Sequence, residues 1–280
     1  MNVTVLSDNI KPKKSYLKTE HGLSLLIEKD GYNVLFDTGG PNGTAIQNAK
    51  LLNLELSQID AVVISHGHND HTGGLLDFFK LNKNTPVYLK KEALNPHYTG
   101  SGSNKEFIGI DKRIAADYKE RLKFLDETSE ILNDFFIIPN IFNKFPISST
   151  NNILYTKEGN KLLKDNFNHE LFMVVKNNNE ITIFSGCGHS GIDNIINTAK
   201  ETFPDNKIKN IVGGFHFQAG KISSFTANSK EIEATSRWIQ SEGVKKVYTG
   251  HCTGRYGFEI MNSILKDSLE LLYTGKKIKI

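Results

Sequence analysis

The sequence predicts a mixed α/β sandwich, because short apolar strands alternate with helical stretches, the chain opens as a β-rich sheet, and its second half repeats the plan of the first. Residues 3–6, 23–28 and 33–37 read as strands, the last two joined by the turn signal Asp30-Gly31. Residues 43–52 carry helical spacing. A short buried strand follows at 60–64, a helix at 73–80 and another strand at 86–89. Residues 91–168 mix Gly, Asn and Ser clusters with apolar pieces and are read as an insertion capping a site. The aromatics there (Tyr98, Phe107, Phe135, Phe142 and Phe145) are expected to serve packing before they serve a pocket. Order returns with a hairpin of 171–175 and 180–184 over Asn177-Asn178-Asn179, and a helix at 192–201. Strands at 208–212 and 245–248 flank a helix at 228–241, whose apolar stripe includes Ile232, Thr235, Trp238 and Ile239. A helix at 255–266 and a terminal hairpin or strand at 269–280 complete the chain.

A length of 280 residues with 38% hydrophobic composition is enough for one large α/β domain spanning 1–280. No stretch approaches the roughly 20 apolar residues that span a bilayer, and the N-terminus lacks a basic-then-apolar signal pattern. A cytoplasmic protein without membrane partners is therefore expected. A net charge of +3, with basic residues spread among acids, does not point to nucleic acid. The short run Lys11-Pro12-Lys13-Lys14 reads as a solvated loop. Two cysteines do not make a disulfide framework. A reduced pair is expected, although Cys187 precedes His189 by two residues and Cys252 directly follows His251.

The most informative segment is Ser65-His66-Gly67-His68-Asn69-Asp70-His71-Thr72, directly after the apolar run Ala61-Val62-Val63-Ile64. Three of the nine histidines fall within six residues, so four metal-ligating side chains leave the end of one buried strand together. In extended backbone His66 and His68 point to the same side. They can hold one ion while Asp70 and His71 reach a second. His189 and His251 each follow an apolar strand and a glycine, much as His66 follows its apolar strand and Ser65, and His216 follows Gly213-Gly214-Phe215 at another strand end. The paired glycines 39–40, 73–74 and 213–214 suggest close backbone approach to a ligand. They lack the Lys-Ser/Thr of a phosphate loop. No Gly-x-Ser-x-Gly accompanies Ser190 or Thr253, which argues against a serine nucleophile.

His-x-His-x-Asp-His after a hydrophobic strand resembles the signature of the metallo-β-lactamase-fold superfamily. The strand ending Phe36-Asp37-Thr38-Gly39, the segment Gly186-Cys187-Gly188-His189-Ser190-Gly191 and Thr249-Gly250-His251-Cys252 follow in the expected order. Together with Gly213-Gly214-Phe215-His216, these motifs are similar to a branch named after an archaeal pterin enzyme, 7,8-dihydropterin-6-methyl-4-(β-D-ribofuranosyl)-aminobenzene-5′-phosphate synthase. The resemblance implies a four-layer αββα sandwich and two divalent metal ions, Zn²⁺ first, with Mn²⁺ or Fe²⁺ as alternatives. It implies that His66, His68 and His189 hold the first ion and Asp70, His71 and His251 the second. It also implies that Asp37 orients a ligating histidine. Most relatives have Gly-Asp where this chain has Gly186-Cys187, and the Asp bridges the ions. A Cys187 thiolate or hydroxide alone could take that place, and His169, just ahead of the hairpin, is the rival of His189.

The expected function is that of a dinuclear hydrolase acting on an ester, lactone or phosphoester-type small molecule, with anionic substrates among those expected. Asp70 would hold the second ion and align the attacking hydroxide, while His216 would move a proton or charge at the substrate. The alternatives are the branch's transferase chemistry, with release of pyrophosphate and Arg255 as the anion-binding residue, and a non-catalytic metal-binding sensor.

Overall fold

Asp30 and Gly31 both adopt positive φ, 51° and 87°, as a tight hairpin turn requires. They join the strands Ser24–Lys29 and Tyr32–Phe36. A computed structural model describes residues 1–12, 15–219 and 225–280, so half of the basic run, Lys13 and Lys14, lies outside the described residues. The hairpin sits inside a seven-stranded sheet, in the order Lys277–Lys279, Asn2–Ser7, Ser24–Lys29, Tyr32–Phe36, Ala61–Val63, Val87–Leu89 and Leu122–Phe124. A second seven-stranded sheet runs Leu269–Leu271, Lys246–Thr249, Lys207–Gly213, Glu180–Phe184, Phe172–Asn177, Phe135–Ile138 and Ser129–Leu132.

Side-chain alternation explains the layers. Val3, Val5, Leu25, Ile27, Val34 and Phe36 of the first sheet pack against Phe135, Ile137, Met173, Val175, Phe184 and Val212 of the second. On the outer face of the first sheet, Leu26, Leu35 and Val62 meet Ala45 and Ala49 of the helix Thr44–Leu51 and Leu75, Phe78 and Phe79 of the helix Leu75–Leu81. On the outer face of the second, Val174, Ile183 and Ile211 meet the helices Ile192–Thr202, Ser229–Ser241 and Gly254–Leu265. The result is the four-layer αββα sandwich.

Three elements differ from the sequence reading. The chain after residue 269 is no hairpin: Leu269–Leu271 joins the second sheet and Lys277–Lys279 the first. Residues 91–168 do not form one separate insertion, because Leu122–Phe124, Ser129–Leu132 and Phe135–Ile138 are edge strands of the main sheets. The remainder supplies a small sheet ordered Lys161–Lys164, Leu154–Glu158, His97–Ser101 and Asn104–Phe107. The glycine pairs serve chain packing: a Cβ at Gly73 would lie 2.4 Å from backbone of Gly40, and one at Gly213, where φ is 151°, would lie 2.1 Å from the carbonyl of Ser185. No helix of the described residues is long and apolar enough to cross a membrane.

Parallel pairing positions the site. Tyr32–Phe36, Ala61–Val63 and Val87–Leu89 run parallel, as do Glu180–Phe184, Lys207–Gly213 and Lys246–Thr249. Their carboxyl ends therefore deliver Asp37, Ser65-His66, Cys187, His216 and His251 to one region, where ligands gather in such sheets.

Candidate metal centre

All nine histidines of the chain belong to one network of neighbouring rings. Ring centroids of His66 lie 4.6 Å from His68, 4.8 Å from His189 and 4.2 Å from His71. Asp70 and His71 lie on the short helix Asn69–Thr72.

Four imidazoles have their Nδ1 fixed by a partner. His71 Nδ1 lies 2.7 Å from Asp37 Oδ2. Ser65 Oγ donates to the same Oδ2 at 2.7 Å and lies 2.9 Å from His66 Nδ1, so one carboxylate settles both rings. His189 Nδ1 lies 3.0 Å from Asn151 Oδ1, and that amide also donates to the His189 carbonyl at 2.8 Å. His251 Nδ1 lies 2.9 Å from Asn9 Oδ1. For His66, His189 and His251 the proton sits on Nδ1 and Nε2 carries the lone pair, as a ligand requires, and His71 presents Nε2 in the same way once its second proton is lost.

Those lone pairs converge. His66 and His189 present Nε2 atoms that are buried without a hydrogen-bond partner. Around the second position, His71 Nε2 lies 3.1 Å from Cys187 Sγ and 3.2 Å from His251 Nε2. Asp70 Oδ2 lies 3.3 Å from His251 Nε2 and 3.2 Å from His21 Nε2. Gathered buried electron-rich atoms call for a cation, and this donor set fits divalent ions. Cys187 belongs to both groups, with Asp70, His71 and His251 on one side and His66 and His189 on the other.

Electrostatics agree. Burial, then the neighbouring imidazoles, hold His66, His68 and His189 well below the usual histidine range, so all three are neutral, the form a metal ligand takes. Burial opposes charge on His71 too, but Asp70 and Asp37 outweigh it and push the ring up to about 9. Without a cation, His71 thus holds a proton in its place. Burial also opposes ionisation of Asp70, and His71, His21 and His251 overcome it and hold the carboxyl well below its usual range.

The expected residues divide as follows. His66, His68, Asp70, His71, His189 and His251 come together. His169 stands behind them with both ring nitrogens engaged, by Gly67 N–H at 3.0 Å and Asp165 at 3.3 Å, whereas His189 Nε2 is unpaired. His216 closes the far side, 4.1 Å from the His189 ring, with both nitrogens buried and unpaired. Both His216 and His251 adopt positive φ, 45° and 48°, a strained conformation characteristic of functional sites. The two cysteines are free and buried, and Cys187, Cys252 and His216 form a further close group. Arg255 is not at the site: its side chain is 92% exposed and pairs with Glu259.

Sequence reading missed His21, Asn9, Asn151, His97, Asp165 and Glu170. Glu170 accepts backbone N–H groups of His189 and Ser190 at 2.8 and 2.6 Å and so shapes that loop. The one available signal was the histidine count itself. A cavity of about 490 Å³ opens over the cluster. Asp70, Cys187, His189, His216 and His251 line it, facing Ile108, Ile153, Leu154 and Ala219. None of the five aromatics singled out above lines it, and no Lys or Arg does among the described residues.

The metallo-beta-lactamase superfamily matches the chain over residues 17–146. Over its whole length the chain is 28% identical to the 7,8-dihydropterin-6-methyl-4-(beta-D-ribofuranosyl)-aminobenzene-5′-phosphate synthase of Methanocaldococcus jannaschii, covering 96% of that protein. It is 30% identical to Tm1679, a metal-dependent hydrolase of the beta-lactamase superfamily, at a TM-score of 0.83, covering 100% of this chain and 99% of the other. Zn²⁺-bound PqqB from Methylobacterium extorquens shares the fold, with a TM-score of 0.62 at 13% identity and full cover of both chains.

Proposed function

The chain belongs to the metallo-β-lactamase superfamily, and from that premise we propose that it is a dinuclear metal-dependent hydrolase of small-molecule esters, lactones or phosphoesters. The supporting observation is the set of inward-facing Nε2 lone pairs on His66, His71, His189 and His251, each fixed by a partner at Nδ1. His66, His68 and His189 would hold one ion and Asp70, His71 and His251 the other, with Cys187 between them. When bound there, two such ions, Zn²⁺ first and Mn²⁺ or Fe²⁺ as alternatives, would lower the pKa of a water to about 7 and polarise the substrate's oxygen.

The remaining work falls to side chains. Asp70, held ionised by His71, His21 and His251, orients the nucleophile through its exposed edge in the cavity. His216, on the cavity wall with both nitrogens unpaired, is placed to give a proton to the leaving group. The apolar wall of Ile108, Ile153 and Leu154 takes the body of the substrate.

The full-length likeness to the pterin synthase supports a second reading, transfer with release of pyrophosphate. Both readings would use the same donor set and differ in the product released. Phosphodiesterase, lactonase and thioesterase assays with added Zn²⁺ or Mn²⁺ test the proposal, with Asp70→Asn as control. Turnover that falls on the order of 10²-fold or more in the folded variant supports it. Full turnover in that variant refutes the role of Asp70, and pyrophosphate release from a pterin diphosphate substrate without ester hydrolysis refutes the hydrolase.

A further inference from the structure

Behind the ligand loop lies a buried triad that the proposed chemistry does not use. His97, Asp165 and His169 are 1%, 8% and 0% exposed. Asp165 Oδ2 lies 3.0 Å from His97 Nδ1 and 3.3 Å from His169 Nε2, and its Oδ1 accepts the Phe167 backbone N–H at 2.8 Å. Because His169 Nδ1 accepts the Gly67 N–H, its proton sits on Nε2 and points to Asp165. Asp165 likewise draws the His97 proton to Nδ1 and leaves His97 Nε2 bare. That nitrogen is buried without a partner, and a Cβ at Gly67 would lie 2.9 Å from it.

The His68 ring stands 5.5 Å from His97 and 5.3 Å from His169, and its Nε2 is also buried and unpaired. One donor atom from each of His68, His97, Asp165 and His169 lies within 4.8 Å of the others. A separate cation there would find few donors. Asp165 and His169 are already committed to hydrogen bonds, which leaves only nitrogens of His97 and His68. An imidazole that gives one nitrogen to a metal keeps its proton on the other, and that proton needs an acceptor. His97 Nε2 is the bare acceptor available.

We propose that His97, Asp165 and His169 are positioning residues for the His66-Gly67-His68 loop: His169 grips the Gly67 backbone, and His97, oriented by Asp165, would accept Nε2–H of His68 when that ring gives Nδ1 to a cation. The inference rests on the metal-centre reading above. It also ties the cavity wall to the ligands, since His97 begins the strand His97–Ser101, Asp165 follows the strand Lys161–Lys164, and Thr99 and Leu154 of the same small sheet line the cavity.

Cobalt loading tests it without reference to turnover. Wild type, His97→Phe, His97→Gln and Asp165→Asn are titrated with Co²⁺ against a chelator, with visible absorption reporting the ligand field and circular dichroism the fold. His97→Phe keeps the ring volume and is expected to bind Co²⁺ roughly 10- to 100-fold more weakly with an altered absorption band. His97→Gln, whose amide oxygen reaches the Nε2 position, is expected to recover most of the affinity. Asp165→Asn cannot accept from both histidines and from the Phe167 N–H, and is expected to weaken binding, which decides the matter should His97→Phe not fold. Folded variants with wild-type affinity and spectrum overturn the proposal. So does a third ion per wild-type chain that His97→Phe loses. A wild type that binds no Co²⁺ instead overturns the metal-centre reading itself.

Discussion

Oδ2 of Asp37 lies 2.7 Å from Nδ1 of His71, both side chains fully buried, and it holds the proton on the side of the ring away from the cluster. Asp37→Asn replaces that oxygen or its neighbour with an amide donor. His71 then must turn its lone pair outward and its N–H toward Cys187 and His251. Metal affinity is expected to fall roughly 10- to 100-fold, as read by competition with a chelator; wild-type affinity in a folded variant would show that the tautomer of His71 is immaterial.

Cys187 Sγ, 3.1 Å from His71 Nε2, belongs to the donor groups on both sides of the centre. Cys187→Ala is expected to lower the number of tightly held ions from two toward one, and Cys187→Asp to restore it, because a carboxylate can bridge as a thiolate can. Elemental analysis of the purified variants measures this. Two tight ions in the alanine variant would remove Cys187 from the centre.

Removal of metal is expected to destabilise the fold. A ligand at 100 times its Kd adds about 2.7 kcal/mol, which for a chain of this size is a change in Tm of about 5 to 10 °C. The stripped protein also acquires a pH dependence. His71 is raised from 6.5 to about 9, so its protonation contributes stability that is complete below 6.5 and is lost as pH rises through 9. Thermal scans between pH 6 and 10 are expected to show this decline with chelator present and not in the loaded protein. A flat profile with chelator would contradict it.

Asp193 offers a titration remote from the metals. Thr235 Oγ1 donates to its Oδ2 at 3.0 Å, while Oδ1 is buried with no partner. Burial raises the carboxyl from 3.8 to about 6. The folded state therefore binds more protons than the unfolded chain between those values, and stability falls as pH climbs from 3.8 to 6. Asp193→Asn is expected to raise Tm at pH 8, by at most about 3 kcal/mol in stability, and by less at pH 4. An equal effect at both pH values would place the gain elsewhere.

Much of the architecture is local in origin and hence readable residue by residue. The hairpin at Asp30-Gly31, the strand Glu180–Phe184 and the helix Ser229–Ser241 follow from turn chemistry and apolar periodicity within a few positions. Residues 91–168 resisted because their strands are short and find partners far away: Phe135–Ile138 pairs with Phe172–Asn177, and His97–Ser101 with Leu154–Glu158.

From the order of residues alone came the sandwich class and the histidine loop at 66–71, since both are written in neighbours that share one strand end. Folding alone engaged both nitrogens of His169 and left His189 Nε2 unpaired, brought His21 to Asp70 and placed His97 behind His68. The reason is that a ligand's lone pair is aimed by its hydrogen-bond partner, and such partners lie anywhere along the chain: Asn151 is 38 residues from His189, and Asn9 is 242 residues from His251. No pattern of adjacent residues encodes those distances; the register of parallel strands does.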